Sequence, residues 1–209
     1  MPIFDHDGTT MYEIGRVADH NGTEQYTIDK VYDHDGTTMY LIFNRVPEYL
    51  YQNGDQVTSE TGGWVSVTTG GFWYWGNEWN TGNTKTTPVF NDTNIELATG
   101  GSYYMGTIRT SKAIDCSGIK KLTFNFDITK YPGSYTNCYQ SVNCAIMSNT
   151  NTAPTIVASN TWRMDSSGTG KSIELDTTNY NGSYYIYFGI SSGAGYTSRI
   201  QLKSILVTE

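Results

Sequence analysis

Residues 3–16 read IFDHDGTTMYEIGR, residues 17–30 VADHNGTEQYTIDK and residues 31–44 VYDHDGTTMYLIFN. They are copies of one 14-residue unit, with identical columns at Asp5/Asp19/Asp33, His6/His20/His34, Gly8/Gly22/Gly36, Thr9/Thr23/Thr37, Tyr12/Tyr26/Tyr40 and Ile14/Ile28/Ile42. A further column is β-branched throughout: Ile3, Val17, Val31. Each Asp-Gly or Asn-Gly is a tight-turn signal, because Gly reaches positive φ without a Cβ clash. The Thr-x-x-Tyr-x-Ile run that follows alternates strand residues. A second break falls at Gly15-Arg16 and Asp29-Lys30. Each copy therefore reads as two short strands, and residues 1–45 as a β-spiral or meander shaft.

A 14-residue unit cannot bury a core alone. Three of them, about 42 residues, fall below the size at which single chains fold unaided. The apolar columns, Tyr12, Tyr26, Tyr40 with Ile14, Ile28, Ile42, are expected to find partners in other chains, a homotrimer first. Charge marks the same boundary. The chain of 209 residues carries a net charge of −7; residues 1–50 hold −6 of it, and residues 59–209 sum to zero.

Residues 46–63, VPEYLYQNGDQVTSETGG, read as a connector with one more hairpin or capping turn at Asn53-Gly54. From Trp64 to Glu209 the chain is rich in Thr, Ser, Asn, Gly and aromatics. Alternating stretches recur at Phe72–Trp75, Tyr103–Arg109, Lys121–Ile128, Val142–Met147, Thr155–Ser159, Lys171–Leu175, Tyr184–Ile190 and Ile200–Val207. No long 3.6-period segment interrupts them. The expected fold is all-β: the short repeat shaft, then an antiparallel β-sandwich of jelly-roll type over 64–209.

Several function classes drop out. An acidic chain without a basic cluster has nothing to neutralise nucleic-acid phosphates. No apolar run nears ~20 residues, so no membrane-spanning helix is expected. The N-terminus lacks the basic and apolar regions of a signal peptide, which points to synthesis in a bacterial cytoplasm. Cys116, Cys138 and Cys144 are odd in number and fit neither a disulfide framework nor a zinc site.

Motifs with catalytic echoes fit turns better. Asp5-His6-Asp7-Gly8-Thr9 resembles a phosphatase nucleophile loop, but it recurs at Asp33–Thr37 and no α/β context follows. Gly168-Thr-Gly-Lys171-Ser172 resembles a phosphate-cradling loop, yet Asp165 replaces its first Gly and Ile173-Glu174-Leu175-Asp176 alternates like a strand. Gly189-Ile-Ser191-Ser-Gly193 matches a nucleophile elbow, but no His follows residue 34. His6, His20 and His34 could meet symmetry mates around a metal in a trimer, or lie exposed beside Asp in a turn. No cofactor is expected; a structural Ca²⁺ has no sequence support.

The positive signal is aromatic. Trp64, Phe72, Trp73, Tyr74, Trp75 and Trp79 crowd one short stretch, and alternation sends Phe72 and Tyr74 one way, Trp73 and Trp75 the other. Tyr103-Tyr104 and Tyr184-Tyr185-Tyr187 are similarly two-faced. Core packing explains many such rings. Exposed ones stack on sugar rings while Asn, Thr and Ser bond sugar hydroxyls. The candidate ligand-binding residues are Trp73, Trp75, Trp79, Tyr103 and Tyr185.

The Gly-turn repeats, the segment Leu50–Trp64 and the ending Asn181–Gly189 with Ser198–Val207 resemble tail and minor structural proteins of phages and prophages of Gram-positive bacteria. The repeats also look like the trimeric β-spiral shafts of viral fibres. The resemblance implies a virion-associated fibre or tip, partnered by other virion proteins, whose jelly roll attaches to a host surface glycan. It supplies no binding residues. The alternatives are a bacterial carbohydrate-binding module or surface adhesin, and a glycan depolymerase, for which no carboxylate pair is visible.

Overall fold

A computed structural model describes residues 3–6, 11–14, 18–20, 25–27, 30–34, 39–44, 47–73, 78–130, 140–164, 167–193 and 197–209. The chain forms two compact units, Met1–Val46 and Pro47–Glu209.

In the first unit the repeat becomes a repeated hairpin. Strand β1 (Ile3–His6) pairs antiparallel with β2 (Met11–Ile14), β3 (Ala18–His20) with β4 (Gln25–Thr27), and β5 (Lys30–His34) with β6 (Met39–Asn44). Identical sequence columns yield identical register: Asp5 faces Tyr12, Asp19 faces Tyr26, and Asp33 faces Tyr40. His6, His20 and His34 likewise face Met11, Gln25 and Met39. Ile14 faces Ile3, Ile42 lies where the third hairpin shifts register, and Ile28 lies outside the described residues. Among the described residues each hairpin is its own two-stranded sheet. Such a sheet is marginal in water without further cover.

The second unit is a β-sandwich. One sheet contains β7 (Tyr49–Gln52), β12 (Val89–Phe90), β13 (Ile95–Gly100), β16 (Lys121–Lys130), β19 (Gly168–Asp176) and β21 (Thr197–Thr208). Its order is β12-β13-β21-β16-β19, with β7 also on β21. The other contains β8 (Trp64–Ser66), β11 (Thr84–Lys85), β14 (Tyr104–Thr110), β15 (Ile114–Asp115), β17 (Gln140–Met147), β18 (Ile156–Arg163) and β20 (Ser183–Ser192). Its order is β11-β14-β20-β17-β18, with β8 on β14 and β15 on β20. Pairing is antiparallel apart from the short β11–β14 contact.

Alternation fills the core. In β16, Leu122, Phe124, Phe126 and Ile128 point inward, while Thr123, Asn125 and Asp127 are partly exposed. Phe124 stacks on Phe188 of β20 at 5.3 Å, and Phe126 meets both Phe188 and Trp162 at 5.9 Å. The outer face of the six-stranded sheet carries the ion pairs Lys121–Glu174 (2.8 Å) and Arg199–Glu96 (3.2 Å). Such solvated pairs contribute little stability individually.

The sandwich begins earlier than the sequence pattern implies. Residues 46–63 are expected as a connector, and of these 47–63 are built into it. β7 pairs with β21, Leu50 and Tyr51 are buried, and the Trp64 Nε1–H donates to the Leu50 carbonyl at 3.1 Å. A four-residue helix, α1 (Thr58–Thr61), turns the chain between β7 and β8. Strand β13 is not among the expected strands. Its alternation is only Ile95 and Leu97, too short to stand out from the surrounding Thr and Asn. The segment that resembles a phosphate-cradling loop but alternates like a strand is indeed strand β19, and Ser191 of the elbow-like motif lies inside β20, buried.

Candidate aromatic and polar binding face

Every residue of β17 is buried, so both faces of the seven-stranded sheet are covered along that strand. Val142, Cys144 and Ile146 point into the sandwich. The opposite face holds Ser141, Asn143, Ala145 and Met147, and cross-strand register adds Tyr187, Gly189 and Ser191 from β20 with Met105, Thr107 and Arg109 from β14. This outer face is the candidate site.

A short hairpin lies across it. β9 (Gly71–Phe72) pairs antiparallel with β10 (Trp79–Asn80), and the Trp73 N–H extends the ladder to the Glu78 carbonyl at 2.8 Å. Two glycines permit the close approach. A Cβ on Gly71 would come within 2.7 Å of Thr107 Oγ1, and one on Gly189 within 2.9 Å of the Phe72 ring. Phe72 is fully buried there in a satellite cluster with Val67, Ala145, Met147 and Tyr187, flanked by Trp79, Ile156 and Tyr185. Trp79 packs edge-on against Phe72 at 5.7 Å and Tyr187 at 5.6 Å, and its Nε1–H donates to the Thr152 carbonyl at 2.9 Å.

The polar half of the face is a connected network. Ser141 Oγ and Ser191 Oγ are 2.9 Å apart; Asn143 Nδ2 donates to both, and Thr161 Oγ1 donates to Asn143 Oδ1 at 2.9 Å. Buried networks of this kind fix a surface rigidly when each member is satisfied. At the aromatic end the Arg109 guanidinium lies 5.7 Å from the Tyr185 ring centroid, in cation–π geometry. Burial raises the Tyr187 hydroxyl to about 12, with Arg109 pulling the other way. That hydroxyl is thus a neutral donor, directed at the Asn149 carbonyl at 3.4 Å.

The candidates from sequence do not all meet. Trp73, Trp79 and Tyr185 belong to this region: Trp73 and Trp79 to the hairpin, Tyr185 to the strand beneath it. Trp73 and Tyr185 are half-buried; Trp79 is half-buried and engaged in packing. Trp75 lies outside the described residues. Tyr103 is exposed, in a left-handed turn at φ 60°, and its N–H bonds the Gly193 carbonyl at the other end of β20. Eight strand residues, roughly 26 Å, separate that end from Tyr185. Arg109 and the Ser141–Asn143–Ser191 network join the face without any sequence motif to mark them. Only the two-residue period of β14 and β17 places them together. No cluster of three His, Cys, Asp or Glu that could hold a metal occurs among the described residues.

No family model matches the sequence, and no curated protein does. Solved structures do resemble the fold. A carbohydrate-binding module specific for non-crystalline cellulose aligns with a TM-score of 0.50 at 10% identity, over 79% of this chain and 94% of that one. A mannan-recognising carbohydrate-binding module aligns with a TM-score of 0.35 at 11% identity, over 75% and 93%. The enzymatically active domain of a tailspike from bacteriophage CBA120 aligns with a TM-score of 0.38 at 13% identity, over 75% and 21%.

Proposed function

We propose that the sandwich is a non-catalytic glycan-binding module and that the outer face of its seven-stranded sheet is the recognition surface. The observation that carries this reading is the juxtaposition of half-buried rings, a cation and a rigid hydroxyl–amide network on one face. Rings supply apolar area for sugar faces and the guanidinium donates to sugar hydroxyls, while the buried network beneath holds the sheet rigid. The likeness of the fold to a cellulose-specific carbohydrate-binding module supports it. Net neutrality over residues 59–209 favours an uncharged glycan over a polyanion.

Trp73→Ala and Arg109→Ala are each expected to weaken binding to a soluble neutral polysaccharide about tenfold, read by affinity electrophoresis or calorimetry. Unchanged affinity in both variants, with the fold intact by circular dichroism, would remove this face as the site.

The finer reading places the chain on a virion, as a tail fibre or tip that contacts a host surface glycan. The hairpin unit supports it. Three copies in one register, each too small to be stable alone, ask for cover from other chains. The whole chain is expected to run as a homotrimer in light scattering at micromolar concentration. A stable monomer would overturn the oligomerising role of residues 1–45.

A further inference from the structure

The two sheets end side by side at β18 and β19, the last strands in their respective orders. Between them lies an open groove of about 760 Å³, within the size range of small-ligand sites. It is separate from the hairpin-covered face. Residues 158–160 of β18, Glu174 and Asp176 of β19, and Thr178 and Tyr180 beyond β19 line it, together with Lys121 and Thr208 at the paired ends of β16 and β21.

Bare sheet edges invite an extended peptide, but this pair is blocked. The Asn160 side chain donates from Nδ2 to the Glu174 carbonyl at 2.6 Å and accepts from the Thr161 N–H at 2.8 Å. One residue therefore engages a backbone carbonyl of β19 and a backbone N–H of β18, which protects both against strand addition. The walls offer side chains instead. Glu174 accepts from Lys121 Nζ at 2.8 Å, leaving further lone pairs free for hydroxyl donors. Asp176 is held below the usual carboxylate range, chiefly because the Thr178 N–H donates to its Oδ1 at 2.9 Å. Tyr180 adds a half-buried ring set edge-to-face against Tyr184 at 6.4 Å.

Carboxylates that accept from vicinal hydroxyls, a lysine donor, amides and one ring are the complement of a polyol. We propose that the groove between β18 and β19 is a second saccharide-binding site, taking a short stretch of neutral glycan. It shares the ligand class of the proposed function but none of its residues, and the two stand or fall separately.

The test is amide chemical-shift mapping of the whole chain with β-1,4-linked gluco-, manno- and N-acetylglucosamino-tetrasaccharides. The expected result is saturable shifts at Ser159–Thr161 and Glu174–Tyr180 with at least one probe, persisting in Trp73→Ala. Tyr180→Ala should weaken them about tenfold. Asp176→Asn, which keeps the shape of the turn, should weaken them as well. Shifts confined to the β9–β10 hairpin would overturn the groove and leave the outer face standing. Shifts confined to the groove would do the reverse. No groove shift with any probe at millimolar concentration, or groove shifts unchanged in both groove variants, would sink the proposal.

Discussion

Phe72→Ala is expected to destabilise the protein by about 3–5 kcal/mol, the range for truncating a fully buried phenylalanine. The ring is wholly buried, wedged between the hairpin and the sheet it crosses. Its loss leaves a cavity that the neighbours cannot close. Met105 and Gly189 belong to paired sheet strands, and Trp79 is tied through Nε1 to Thr152. In a domain of this size the loss lowers the melting midpoint by roughly ten degrees. A second consequence is local. The hairpin that carries Trp73 and Trp79 loses its main anchor, so tryptophan emission should shift to the red before global melting, and glycan affinity should fall with it.

Phe124→Ala separates the two effects. Phe124 is equally buried, but it stacks on Phe188 inside the sandwich. It should cost a similar few kcal/mol, about the same range, while leaving low-temperature tryptophan emission and glycan affinity near those of the unaltered protein. If Phe124→Ala reddens the emission and abolishes binding as Phe72→Ala does, the hairpin is not a separately anchored layer.

Much of the sandwich is legible in the sequence, because the forces that select its strands act locally and leave a two-residue period. Lys121–Ile128 alternates cleanly, and the strand found there extends it by two residues. The three repeats share columns, and their hairpins share a register. The candidate face is far less legible. Its placement depends on which strands become neighbours: β14 beside β20, then β17. Arg109 and Tyr185 are 76 positions apart in sequence and meet only through that order. The aromatic run near Phe72 reads as a four-residue strand with two faces. Among the described residues the strand is Gly71–Phe72, and it packs outside the sandwich; alternation separates the two faces of the run without saying which layer covers either. Likewise, the Pro47 break resembles the start of a linker. Leu50 and Tyr51 look like isolated apolar residues until β21 is seen to pair with them.

The protein is expected to unfold in alkali, between about pH 10 and 12. Four buried acids act in the same direction, Tyr51 and three whose values rise further. Burial raises Cys116 and Cys144 from 9.0 to about 12, with Asp115 adding to the effect at Cys116. It also raises Tyr187 from 10.0 to about 12. All four are neutral when protonated and almost wholly buried in the folded chain. The folded state therefore keeps its protons while the unfolded state loses them, and the unfolded state gains stability as pH rises. The contribution is fully present below the unfolded values of 9.0 and 10.0, and it is gone once pH passes about 12. At about 1.4 kcal/mol per unit, raised values of this kind in several buried acids together amount to several kcal/mol, a large part of the folding free energy of an ordinary domain. Circular dichroism against pH should show one cooperative loss in this window. Alkylation of Cys116 and Cys144, mapped by peptide mass, should be negligible at pH 8 and appear only with that loss. Cys116→Ala with Cys144→Ala removes both thiol titrations, so it should move the alkaline midpoint upward even if the small cavities make the variant slightly less stable at pH 7. A midpoint that stays put or falls would mean that something other than these buried acids sets the alkaline limit.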